Sequence, residues 1–301
     1  MQLGLDAYSI GVLSGLLATL FFGVSNVVYR AMSDDIRVLD INALRIWVSL
    51  PLALFVAIIP IRPTIRQRPP ESWLPLSFSM IVGIVAGDAM YFMSQIRIGV
   101  ARAFPIAMSY PLLVYALTAL FLGEPVIPMR IGGVVLTVLG VGLIARRQVK
   151  DEETRLKGEE GLGIALAFGT ALLWAVGDAV FQFGLVNVDP IDGNFVRMLA
   201  GSAVLLPVVA MSFRGPRQIP TKRIASLALV TGIFGMGISL LLGTVSVKEI
   251  GATATSVLLA SAPLFTTPLS IYFLKEKLTR NVAIGTLLTI LGVTLVIIFH
   301  S

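Results

Sequence analysis

Ten apolar runs divide this chain: 8–31, 39–60, 73–95, 100–122, 130–146, 160–185, 192–213, 224–247, 251–274 and 281–299. Charged residues gather between the runs rather than within them. A bilayer core about 30 Å thick takes about 20 helical residues to cross, so each run has the length of one span. Backbone groups left unpaired in lipid are too costly to tolerate, which permits only helices or closed barrels. These runs lack the alternation of barrel strands. Composition agrees: 56% of residues are hydrophobic and 13% charged, against about 25% charged in a soluble domain. The expectation is an all-α integral membrane protein with ten transmembrane helices, multi-pass in the cell membrane. The net charge of +6 lies in the loops, where lipid headgroups rather than nucleic acid are the natural partner. There is no cysteine, and the N-terminus lacks the basic n-region of a signal peptide, so the first run reads as a retained helix.

The stretch "DINALR" (40–45) returns as "DGNFVR" (192–197), an offset of 152 residues. At the same offset Asn26 falls on Asp178, Gly83 on Gly235 and Gly99 on Gly251. "SYPL" (109–112) falls on "SAPL" (261–264), "FLGE" (121–124) on "FLKE" (273–276) and "LTVLGV" (136–141) on "LTILGV" (288–293). Gly, Pro, Glu, Asp and Arg stay in register from end to end, which chance similarity of apolar helices would not give. The chain therefore reads as two five-helix repeats, 8–146 and 160–299, joined by a charged linker, 147–159. Because five is odd, the second copy must enter the membrane from the opposite side. Inverted repeats of this kind recur in secondary transporters and permit alternating access to a central site.

The chain resembles the drug/metabolite transporter superfamily in its EamA-like ten-helix form. The resemblance is carried by Tyr91, Phe92, Gly99 and Ala101, then Pro111 and Phe121 to Glu124, then Gly133, Leu136 and Gly140. It is carried again by Gly251, Pro263, Phe273 to Glu276, Gly285, Leu288 and Gly292. It implies transport of small metabolites or drugs through a central cavity, with the fifth and tenth helices peripheral, and no enzymatic activity. It also implies cytoplasmic termini. The charge count points the other way. Loops on the side of the termini hold five Lys and Arg, and those on the other side hold sixteen. Basic loops favour the cytoplasm, so the orientation stays open.

An ionisable residue inside a span costs about 2.5–3.5 kcal/mol on insertion scales and marks a functional candidate. Asp88 lies mid-run, with Tyr91 and Gln95 at i+3 and i+7 on its face. Its repeat position holds Leu240. Asp178, whose repeat mate is Asn26, has Gln182 four residues on. These six are the candidates for substrate or coupling-ion contact. A hydrogen-bonded packing role is the alternative, especially for an Asn26/Asp178 pair joining the halves. Arg45 and Arg197 are candidate gates or interface anchors, with Asp40 and Asp192 at plausible N-cap positions. Pro105, Pro111, Pro263 and Pro268 interrupt two spans, and interrupted helices line transport sites. Glu124 and Glu276 end spans where the helix dipole disfavours them, so each needs a cation such as Arg130, Lys275, Lys277 or Arg280. Tyr110, Tyr115 and the hydroxyls Thr253, Thr255, Ser256, Ser261, Thr266 and Thr267 either face the cavity or serve packing. The terminal His300 is expected to be inert.

Without a nucleotide-binding motif, energy must come from a gradient. The expected partners are a small-molecule substrate, protons through Asp88 or Asp178, and the bilayer. No cofactor, metal or nucleic acid is expected. A lipid flippase or a sensor is the alternative. An intramembrane aspartyl protease is a remote one: "VAGD" and "AVGD" place Gly before Asp88 and Asp178 but lack the first Gly of G-x-G-D.

Overall fold

In lipid each backbone N–H must find its acceptor within its own segment. The computed structural model accordingly forms helices joined by short turns wherever it describes the chain, over residues 6–30, 38–58, 69–145, 159–212, 222–274 and 279–300. Within these, side chains are described except at 26–30, 38–42, 100–101, 145, 211–212, 222–225 and 269–274. The helices are α1 (Ala7–Arg30), α2 (Val38–Ile58), α3 (Pro70–Ser79), α4 (Gly87–Ile98), α5 (Val100–Ala107), α6 (Tyr110–Phe121), α7 (Pro128–Ala145), α8 (Glu160–Gly184), α9 (Pro190–Ser212), α10 (Lys222–Thr231), α11 (Ser239–Ala260), α12 (Pro263–Leu274) and α13 (Arg280–Ile298). Two π-helical segments, Met80–Ala86 and Gly232–Ile238, continue α3 into α4 and α10 into α11.

Among the described residues, seven helical stretches are long and apolar enough to cross a membrane, and Ala43–Ile58 and Pro128–Ile144 are apolar but shorter. One of the seven, Ser226–Pro268, spans 43 residues. At about 1.5 Å per residue that is about twice the thickness of a bilayer core.

The irregularities recur at the 152-residue offset. The two π segments match residue for residue. Gly99 (φ 76°, ψ 157°) and Gly251 (φ 80°, ψ 166°) both adopt a conformation open to glycine alone. The Ser109 hydroxyl donates to the Ile106 carbonyl and the Ser261 hydroxyl to that of Leu258, again at matching positions. The run 100–122 is thus two helices, α5 and α6, separated at Met108 and Ser109. The break between α11 and α12 falls at Ser261 and Ala262. Pro111 and Pro263 sit in the first turn after each break, where a missing N–H costs nothing. Pro105 lies within α5 and Pro268 within α12.

Small residues set the packing, as expected where lipid offers no hydrophobic drive between helices. α7 and α13 cross through glycines. A Cβ on Gly133 would lie 2.8 Å from the Gly292 carbonyl, and one on Gly285 would lie 2.6 Å from the Gly140 carbonyl. Positions rise on one helix as they fall on the other, so α7 and α13 run antiparallel. α1 packs in the same sense on the part of α11 before Gly251, and α4 does so on α8. Gly11 would meet the Ile250 side chain at 2.6 Å, while Gly163 faces Ile98, the matching residue of the other half.

Overpacking such a contact costs about 1–3 kcal/mol. Gly140→Leu or Gly292→Leu should lower the melting temperature of the purified protein in detergent. Gly142→Leu, where an added Cβ meets nothing within 4 Å, should leave it nearly unchanged.

Candidate functional site

A partly open central cavity lies between the halves. Its wall includes Arg45 of α2, Asp88 of α4, Asp178 of α8 and Arg197 of α9. Aromatic and sulfur-bearing side chains complete it: Phe22, Tyr110, Trp174, Phe181, Met108 and Met236. Both π segments reach it, through Gly83 and Ile84 in one and Gly235 and Met236 in the other. Such segments are frequent at functional sites, because the widened turn re-aims side chains and frees carbonyls. The Ser49 hydroxyl donates to the Gly232 carbonyl at 2.7 Å and also reaches the Arg45 carbonyl at 2.6 Å. This fixes the turn of α2 that carries Arg45.

The four charged groups form two unlike pairs. Arg45 Nη1 lies 3.6 Å from Asp88 Oδ2, and the Trp174 indole N–H donates to Asp88 Oδ1 at 3.1 Å. Asp88 is therefore held from two sides. Arg197 is the charge that acts on Asp178, but it makes no ion pair within 4 Å among the described residues. Its guanidinium instead stacks 3.7 Å above the Phe181 ring, a cation–π contact. Asp178 accepts no hydrogen bond from any described residue. Arg45 and Arg197 are 2% and 4% exposed. They are cavity residues and not interface anchors, because each points inward toward a carboxylate instead of outward to headgroups.

The repeat distributes these groups in a crossed way. The two arginines occupy matching positions. Their carboxylates do not: Asp88 matches Leu240, and Asp178 matches Asn26. Each half thus supplies one cation and one anion to the cavity, but from different helices. Leu240 also lines the wall, while the side chain of Asn26 lies outside the described residues.

Other sequence candidates fall elsewhere. Tyr91 is buried behind the wall, its ring 5.2 Å from that of Trp174. Gln95 and Gln182 are absent from the lining. Gln182 Oε1 instead accepts the Ala252 N–H at 2.5 Å, just past the break at Gly251. The glycines before the two aspartates serve helix crossing. A Cβ on Gly87 would lie 2.7 Å from Trp174 Cδ1, and one on Gly177 would lie 2.7 Å from the Gly83 Cα. Asp192 is not the N-cap of α9; Asp189 accepts the Ile191 N–H at 2.9 Å, one turn earlier. α2 begins at Val38, so Asp40 is inside it. Thr255, Ser256 and Ser261 bond back to their own helix, and Thr255 alone of them lines the cavity. His300 stacks on Tyr8 at 3.8 Å. Glu124 finds its cation in Arg130, at 2.7 Å, while Glu276, Lys275 and Lys277 lie outside the described residues.

Trp174 and Phe181 were not singled out from sequence, although a signal exists. They stand four residues before and three after Asp178, so the three share one helical stripe. No group of three or more His, Cys, Asp and Glu among the described residues could hold a metal.

The EamA-like transporter family matches residues 9–146 and again 161–298. The uncharacterized transporter YoaV of Bacillus subtilis is 23% identical over 290 residues, covering 94% of this chain and 95% of that protein. An uncharacterized transporter of Archaeoglobus fulgidus is 22% identical over 294 residues, covering 95% and 98%. The uncharacterized inner membrane transporter YhbE of Escherichia coli matches at 27% over 154 residues, 48% of this chain and 45% of that protein. A solved crystal structure superposes with a TM-score of 0.78 at 19% identity, covering 95% of both chains, which shows a shared fold.

Removing one partner of a buried ion pair costs about 3–5 kcal/mol because the other charge is stranded. Arg45→Gln and Asp88→Asn should each destabilise the protein by up to about that amount. The double variant should be more stable than the sum of the two losses allows, as a double-mutant cycle of thermal unfolding would show.

Proposed function

The chain belongs to the EamA-like transporter family, and on that premise we propose that it carries a small zwitterionic solute with an apolar body by alternating access through the central cavity. It is a multi-pass membrane transporter and not an enzyme. The observation that supports the finer reading is the unequal commitment of the four charges. Asp88 is already engaged by Arg45 and Trp174. Arg197 and Asp178 retain hydrogen-bonding capacity toward the cavity. A zwitterion would place its anionic group on Arg197 and its cationic group on Asp178. Phe22, Met108, Tyr110 and Trp174 would cover its apolar part.

The proposed architecture has ten crossings in two inverted five-helix repeats, 8–146 and 160–299, joined by the linker 147–159. The 43-residue stretch, folded at Gly251, supplies two of the ten. The two shorter apolar helices supply two more. The antiparallel packing of α7 on α13 supports the inversion.

Energy would come from exchange. A carboxylate that binds either a proton or an ammonium group, but not both, links their movements in opposite directions. Asp178 is the group we assign to this, which makes the protein an exporter or exchanger driven by protons. Asn26 stands at its repeat position as an uncharged counterpart.

Purified protein in proteoliposomes under an imposed pH gradient should take up zwitterions in preference to sugars, nucleotides and purely cationic drugs. Asp178→Asn and Arg197→Gln should each reduce that uptake at least about tenfold, the loss of about 1.4 kcal/mol or more of binding. A sugar or nucleotide as the best solute, or full gradient-driven uptake by Asp178→Asn at every pH, would remove the zwitterion or the proton-exchange assignment respectively.

A further inference from the structure

Three polar contacts converge on the short segment Lys248 to Thr253, which brackets the glycine break in α11 and lies outside the cavity wall. The Lys248 ammonium donates to the carbonyls of Leu185 (2.8 Å) and Val186 (2.6 Å), at the C-terminal end of α8. These are carbonyls that a helix end leaves without partners, and a cation is favourable there. The Ala252 N–H, freed by the break at Gly251, is taken by Gln182 of α8 at 2.5 Å. The Thr253 hydroxyl donates to Glu124 Oε2 at 2.6 Å and contacts the Thr118 hydroxyl at 3.0 Å. Thr118 also donates to Glu124. Glu124 is in turn paired with Arg130, 3% exposed, whose guanidinium lies over the Tyr115 ring.

The segment is thus tied to α8 and, across the repeat boundary, to α6 and α7. It lies near the face where α1 begins and α13 ends, because Gly11 packs on Ile250 and Tyr8 bonds to Ile297.

The inverted repeat offers a control within the same molecule. The matching segment is 96–101, around Gly99. There the sequence places Ile96 for Lys248, Ala101 for Thr253 and Val282 for Arg130. The described polar contacts of that second hinge are of a different kind. Arg97 pairs with Glu159 at 2.7 Å and Arg102 with Glu160 at 3.5 Å, all four being partly exposed. Exposed pairs contribute little and are screened, whereas breaking a buried one strands a charge.

We propose that Lys248–Thr253 is a one-sided latch. Its contacts with Gln182, the α8 carbonyls and Glu124 hold the terminal face of the transporter closed and bias its resting state, with no equivalent among the described contacts of the other face, where Ile96 and Val282 replace Lys248 and Arg130. The proposal rests on the alternating-access reading. It names a function for Glu124, Lys248 and Thr253, which substrate binding does not require.

The chain has no cysteine, and Gly243 lines the cavity with nothing within 4 Å of an added Cβ. A reporter cysteine there can be labelled in oriented vesicles with a membrane-impermeant thiol reagent applied to either face. Thr253→Val, Lys248→Met and Glu124→Gln should each raise the labelling rate from the terminal face by about three- to tenfold and lower it from the other. Arg97→Gln should move the ratio far less. Should Glu124→Gln fail to fold, the near-isosteric Thr253→Val and the surface-proximal Lys248→Met carry the test, each checked by melting and size exclusion. An unchanged labelling ratio in folded variants overturns the latch alone. A reporter reached from one face only, in every variant including Arg97→Gln, overturns alternating access and the latch with it.

Discussion

Two guanidinium groups sit nearly inaccessible at the centre of an apolar helix bundle, and much of the interior is organised around neutralising them. An isolated charge in such surroundings is prohibitive. Among the described residues Asp88 answers Arg45 and Asp178 answers Arg197, so these four groups sum to zero. The two solutions differ in tightness. Arg45 is met by a carboxylate that Trp174 also grips. Arg197 lies on an aromatic ring, with its carboxylate farther off. A neutral but incompletely paired cavity is poor as a permanent core and good as a place where a solute completes the pairing.

The backbone makes room for this arrangement by breaking its own regularity twice, at matching places. The π segments 80–86 and 232–238 bring Gly83 and Gly235 to the cavity. The glycines at 99 and 251 turn the chain at the ends of the helices that carry those segments. Breaks that recur in both halves give the halves the same mechanical options. Contacts that do not recur then choose among those options. Lys248, Thr253 and Arg130, whose matching positions hold Ile96, Ala101 and Val282, belong to the second kind, and the proposed latch rests on them.

Much of the fold was legible in the sequence because lipid imposes a single solution on the backbone, and because duplication prints the same irregularities twice. Asp88, Asp178, Arg45 and Arg197 stood out because charge inside a span is expensive. What the sequence concealed was which charges meet. Periodicity puts Tyr91 and Gln182 on the faces of Asp88 and Asp178, yet the rotation of each helix against its neighbour turns one toward Trp174 and the other toward the break at Gly251. The arginines looked like interface anchors because they follow Asp and Asn near a run's start. Only the packing of α2 and α9 beside α4 and α8 brings them to the aspartates. The glycines before both aspartates suggested chemistry and proved to be sites of close helix crossing.

Alternating access, as proposed here, requires one cavity to open to each face in turn. Distance measurements between paired spin labels test it most directly. The cysteine-free chain allows one pair across the terminal face, at Val126 and Val186, both well exposed, and a second across the opposite face, at Ile96 and Ile284. Alternating access gives two distance populations at each face, with the long population of one rising as that of the other falls when a transported solute or a pH gradient is applied. A single fixed distance at both faces, or both faces lengthening together, would contradict it.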